Sequence, residues 1–120
     1  MLAPIALRIL YVDDDAALRE GVASAFAHEG CPITTEADAL RAAATDWRLV
    51  DLLITDYSMP AMDGLTLVER ARAAGFAGPV ILFSGSVLPA IAQRAQAMGL
   101  RQIVDKGDGP SALLRAVRAS

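Results

Sequence analysis

The chain has 120 residues, 54% of them hydrophobic but only 5% aromatic, and a formal net charge of −3. That length makes one ordinary domain spanning residues 1–120, with a core that Leu, Val, Ile and Ala must fill. The acidic balance, with both signs interspersed, argues against direct nucleic-acid or anionic-membrane binding. No apolar stretch reaches the length of a membrane span.

Ile9-Leu10-Tyr11-Val12 reads as a short apolar strand that runs into Asp13-Asp14-Asp15. Leu18, Val22 and Ala25/Phe26 then recur at helical spacing, with Asp15 as the better N-cap and Gly30 as the stop. Ile33-Thr34-Thr35 is a weak second strand, and Ala37 to Ala44 is Ala-rich and helical. Leu52 to Thr55 forms the third strand. The next helix runs from Leu65 to Ala74, with Leu65, Val68 and Arg72 on one face, and ends at Gly75. Pro79 to Phe83 is a fourth strand, closed by Ser84-Gly85-Ser86. Pro89 to Met98 is a helix with Ile91, Ala95 and Met98 inward. Ile103-Val104 is a short fifth strand, and Pro110 suits the first turn of a last helix with Leu113, Leu114 and Val117 inward. The first few residues and the last two are expected to fray.

Strands alternating with helices imply a parallel sheet, helices on both faces and right-handed crossovers. The polar residues then gather. Asp13 and Asp14 end the first strand, Asp56 the third, Ser84 the fourth and Lys106 the fifth. In a parallel sheet these ends share one edge, where open α/β sheets bind ligands. Three carboxylates held together repel, so some stay protonated or a cation sits among them. An all-oxygen site with room for water suits Mg²⁺. A hydroxyl and an ammonium are poor Mg²⁺ ligands but good donors to an anion. A lone Asp among metal, Lys and Ser describes a phosphoryl acceptor.

The order Val12-Asp13-Asp14-Asp15, Thr55-Asp56-Tyr57-Ser58-Met59-Pro60-Ala61-Met62-Asp63-Gly64, Ser84-Gly85 and Lys106 resembles the receiver domain of two-component response regulators. The resemblance covers residues 8 to 118 and implies a flavodoxin-like, doubly wound five-stranded sheet in the order 2-1-3-4-5 with five helices. It implies that Asp56 accepts phosphate from a histidine kinase phosphohistidine. Asp13, Asp14, Asp56 and the backbone carbonyl of Ser58 are then the protein ligands of Mg²⁺ or Mn²⁺. Ser84 becomes the switch hydroxyl, Lys106 the partner of a phosphoryl oxygen or of Asp56, and Gly85 the small residue that leaves the phosphodonor room. An unknown downstream protein is implied, as is pairing of two copies through the fourth helix, fifth strand and fifth helix.

Two positions depart from the family pattern. Gly107 replaces the usual Pro after the Lys, so a trans Lys106–Gly107 bond and a looser loop are expected. Ile103 replaces the usual aromatic residue three positions before the Lys. These departures motivate a rival reading, a pseudo-receiver that serves only as a protein-binding module. A second rival, an Asp-nucleophile phosphatase of the haloacid-dehalogenase type, has the same groups. It lacks the usual second acid two residues on, where Ser58 stands, so the chain is expected not to be an enzyme beyond its own phosphorylation and dephosphorylation.

Other residues read more plainly. His28 is an exposed residue near a helix end, and Cys31, the only cysteine, is a small buried or half-buried one. A single cysteine excludes an internal disulfide and fits a reducing compartment. Met1 to Leu7 has no charged leader, so a cytoplasmic location is expected. Trp47 packs a helix–strand connection, and Met59 and Met62 pack the turn. Arg94, Arg101, Arg115 and Arg118 form a solvated face.

Overall fold

A computed structural model describes residues 7–120; the first six residues, with most of the segment read as lacking a leader, lie outside the described residues. The strands are β1 (Ile9–Val12), β2 (Ile33–Glu36), β3 (Leu52–Thr55), β4 (Val80–Ser84) and β5 (Gln102–Asp105). The helices are α1 (Ala16–His28), α2 (Ala39–Ala43), α3 (Gly64–Ala73), α4 (Pro89–Ala97) and α5 (Gly109–Arg118). All strand pairs are parallel, in the order β2-β1-β3-β4-β5, which is the flavodoxin-like arrangement expected.

The two-residue period of a strand divides the core. Ile9, Tyr11, Leu52, Ile54, Ile81 and Phe83 face one side, against Val22 and Phe26 of α1 and Leu113, Leu114 and Val117 of α5. Leu10, Val12, Leu53, Val80 and Leu82 face the other, against Leu65, Val68 and Ala71 of α3 and Ala95 of α4. The central strands β1, β3 and β4 are buried along their whole length. Such strands read as continuous apolar runs, because helices cover both faces.

Helix starts follow side-chain caps. Asp15 accepts the Leu18 N–H at 3.1 Å, as expected. Asp38 accepts the Leu40 and Arg41 N–H groups, so α2 begins at Ala39 rather than at Ala37. Asp63 caps α3 through the Thr66 N–H at 2.8 Å. Asp46 opens a single 3₁₀ turn, Trp47–Leu49, that short-range periodicity did not reveal. Within it Trp47 is buried against Phe76, ring centroids 5.3 Å apart, and closes the α2–β3 connection. Cys31 is fully buried, His28 is exposed, and Met59 and Met62 pack beneath the turn.

Three expectations need correction. Arg72 does not complete the apolar face of α3; Leu67 and Ala71 do, while the Arg72 guanidinium donates to the Phe76 and Gly78 carbonyls at 3.0 and 2.6 Å. Arg94 is only partly solvated, its side chain 38% exposed. It bridges α4 to α3 through Asp63, at 3.4 Å, and Glu69. The last residue is tied down rather than frayed: the Ser120 hydroxyl donates to the Ala116 carbonyl at 2.8 Å and accepts from Gln102 at 2.9 Å. Among the described residues no helix is long and apolar enough to cross a membrane.

Candidate functional site

The C-terminal ends of β1, β3 and β4 and the turn after β5 meet at one edge of the sheet. Asp13 is fully buried, Asp56 is 5% exposed and Ser84 is 5% exposed, so three polar residues sit where the core should be apolar. Burying a carboxylate without partners costs several kcal/mol (order of magnitude). The partners are present. Lys106 Nζ lies 2.9 Å from Asp13 Oδ2 and 3.1 Å from Asp56 Oδ2. Asp13 Oδ1 accepts the Asp15 N–H at 3.0 Å, and Asp56 Oδ1 accepts the Tyr57 N–H at 2.8 Å.

The backbone beneath Asp56 is held as firmly. Its N–H donates to the Val12 carbonyl, which ties β3 to β1 beyond the last strand residue. The buried Thr55 hydroxyl donates to the Asp56 carbonyl at 2.9 Å. Gly64 abuts that same carbonyl: a Cβ there would stand 1.9 Å from the Asp56 oxygen. The Asp63-Gly64 pair therefore has two jobs, a cap for α3 and a close approach that only glycine permits.

Charge and burial compete in this pocket. Burial pushes the Asp56 carboxyl above the usual carboxylate range, and the neighbouring Asp13 adds to that, while the Lys106 hydrogen bond opposes it. Burial disfavours the Lys106 charge, but hydrogen bonds to Asp13 and Asp56 outweigh it and raise its pKa. One carboxylate oxygen each from Asp13, Asp14 and Asp56 lies within 4.8 Å of the others. Asp14 is the exposed member, so the cluster opens to solvent on one side. An all-oxygen, water-accessible set of this size fits a small divalent cation.

The sequence-predicted residues do not all share the same network. Asp13, Asp14, Asp56 and Lys106 converge. Ser84 ends β4, paired in register with Asp105, but takes no part in the hydrogen bonds that join Asp13, Asp56 and Lys106. Ser58 is exposed in the loop after β3. The described peptide bonds are all trans, Lys106–Gly107 included. The loop under Lys106 is not loose, however. It forms a 3₁₀ turn, Lys106–Asp108, capped by Asp105 Oδ1, which accepts the Gly107 N–H at 2.7 Å. Ile103 lies on the edge strand and is 38% exposed.

Two contributors escaped the sequence reading. The Arg19 guanidinium donates to the Asp13 carbonyl at 2.7 Å from α1. The Tyr11 hydroxyl, in a fully buried side chain, donates to Asp13 Oδ2 at 2.8 Å. The signal for Tyr11 was available, because residues two apart on a strand share a face.

Comparison with known proteins agrees with this geometry. Residues 9–118 match the response regulator receiver domain. The chain is 31% identical over 120 residues to the transcriptional regulatory protein FixJ of Azorhizobium caulinodans, a match covering 98% of this chain and 56% of that protein. It is 32% identical to an uncharacterized 14.6 kDa protein of Leptolyngbya boryana, covering 92% of this chain and 86% of that one. Among solved structures, the Vibrio cholerae chemotaxis protein CheY4 superposes with a TM-score of 0.85 at 25% identity, over 96% of this chain and 98% of that chain. The match spans about half of FixJ and 36% of the PmrA regulator of Pectobacterium parmentieri, so those proteins extend well beyond the shared region. With the fold, the aspartate cluster and a family match over nearly all of its length, the chain belongs to the response regulator receiver domain family.

Proposed function

We propose that this chain is a phosphoryl-accepting receiver, with Asp56 as the acceptor and a sensor histidine kinase as the donor. The carrying observation is that Asp56, nearly buried, pairs with Lys106 at 3.1 Å beside an aspartate cluster fit for a divalent cation. A structural role alone does not require that arrangement, since an apolar residue would be cheaper to bury.

In the transfer, an Asp56 carboxylate oxygen attacks phosphorus, the phosphohistidine N–P bond breaks, and the imidazole leaves and takes up a proton. Asp13, Asp14, Asp56 and the Ser58 carbonyl would hold Mg²⁺, or Mn²⁺, which neutralises charge on the phosphoryl oxygens. Lys106 gives up Asp56 and pairs with a phosphoryl oxygen, while its bond to Asp13 keeps the ammonium in place. Ser84 supplies a hydroxyl from the end of β4. Downstream, the exposed Leu88 before α4 and Ile103 on β5 give a partner, or a second copy, apolar surface on the α4–β5–α5 side. On this reading the receiver domain itself turns over no substrate beyond this phosphorylation and its hydrolysis, and it acts in the cytoplasm.

Incubation with acetyl phosphate and Mg²⁺, followed by intact-mass measurement, tests this. One phosphoryl group should be added, and it should be lost with EDTA or with Asp56→Asn. Undiminished incorporation in Asp56→Asn would refute the assignment. No incorporation, with amide NMR shifts unmoved by beryllofluoride and Mg²⁺, would establish the pseudo-receiver instead.

A further inference from the structure

The Tyr11 hydroxyl is an anomaly on the apolar face of β1. Its ring packs edge-on to Phe83, centroids 6.1 Å apart, among Ile54, Ile81, Phe26 and Leu113. A Phe would fill that space without a hydroxyl to satisfy. Burying a phenol costs free energy unless its O–H is bonded. Here the O–H reaches Asp13 Oδ2 at 2.8 Å, the oxygen that also takes Lys106 at 2.9 Å. A carboxylate oxygen offers about two lone-pair positions. Two donors, from β1 and from the turn after β5, thus saturate Oδ2 from fixed directions. Among the described residues, Oδ1 holds only the Asp15 N–H. The carboxylate cannot rotate without breaking three bonds, and its remaining acceptor capacity is on Oδ1.

We infer that Tyr11 is a positioning residue for the divalent-cation site: its hydroxyl, with Lys106, locks the Asp13 carboxylate so that Oδ1 is presented to the ion beside Asp14 and Asp56. The inference rests on the receiver reading and adds to it a residue that touches neither the ion nor phosphate. Without the phenol, Oδ2 keeps Lys106 alone, and one of the three bonds that fix the Asp13 carboxylate is lost. Partners that orient metal ligands typically change metal affinity by about 10–100-fold when removed. A phenol of ordinary pKa, about 10, is protonated at neutral pH and so is a donor there.

The test is a calorimetric Mg²⁺ titration of the parent protein, Tyr11→Phe and Tyr11→Leu, with thermal melts of each. Tyr11→Phe keeps the ring against Phe83 and loses one buried hydrogen bond, so it should fold with a melting temperature lowered by about 5 °C. Its Mg²⁺ Kd should rise about tenfold. Tyr11→Leu should lose both stability and affinity. A parent-like Kd in folded Tyr11→Phe overturns the inference while leaving Asp56 as acceptor intact. A parent protein that binds no Mg²⁺ overturns the receiver chemistry itself. Should Tyr11→Phe fail to fold, the parent decides. The chain has two tyrosines, so the ¹³Cζ resonance of Tyr11 can be followed directly. It should move on Mg²⁺ saturation, and an unmoved resonance overturns the inference.

Discussion

Lys106 and Asp56 form an ion pair at 3.1 Å across the sheet edge, Lys106 standing one residue beyond β5 and Asp56 one beyond β3. The same ammonium holds Asp13, so one cation serves two buried acids. Lys106→Met should therefore destabilise the fold in EDTA by roughly 3 kcal/mol, the scale for breaking a buried pair. Mg²⁺ should restore much of this, because the ion replaces the lost positive charge. Urea melts with and without Mg²⁺ measure it, and an equal loss in both would contradict the shared-cation account.

Gly64→Ala should disturb the acceptor through the backbone. The added Cβ would stand 1.9 Å from the Asp56 carbonyl oxygen, so either α3 or Asp56 must shift. Overpacking of this kind costs about 1–3 kcal/mol. Phosphate incorporation from acetyl phosphate should fall with stability. Parent-like melts and incorporation would show that the approach is looser than described.

Gly107→Pro, which restores the usual family residue, should not improve this protein. The Gly107 N–H donates to Asp105 Oδ1 at 2.7 Å, and proline has no N–H to donate. A net loss of about 1 kcal/mol is expected, the scale of one hydrogen bond. Thermal melts decide it, and a gain in melting temperature would show that the 3₁₀ turn after β5 is dispensable.

Acid should weaken one specific tie. Asp51 accepts from the Arg8 backbone N–H at 2.8 Å and from its guanidinium at 3.2 Å, which holds its carboxyl below the usual carboxylate range. A depressed pKa means that the unfolded chain binds the proton more tightly. The stability is therefore present above the ordinary Asp pKa of about 3.9 and is lost as pH falls through the folded value. Asp51→Asn should melt lower than the parent near neutral pH, and the two curves should converge in strong acid. A gap that does not narrow would mean that Asp51 acts through packing.

Most of this domain was legible along the chain. Apolar runs at Ile9–Val12, Leu52–Thr55 and Val80–Ser84 are long enough to mark buried strands, and their parallel order puts Asp13, Asp56 and Ser84 at one edge. Those positions follow from local periodicity and short connections, which are properties of neighbouring residues. What only the tertiary structure decided are the reaches of long side chains across elements. Arg94 finds Asp63 and Glu69 at another helix, and Arg19 finds the Asp13 carbonyl. The pattern of apolar and polar residues marks which face a side chain takes, but not which buried group lies at the end of it. That depends on how helices sit on the sheet, and there packing and the need to satisfy buried charge decide together.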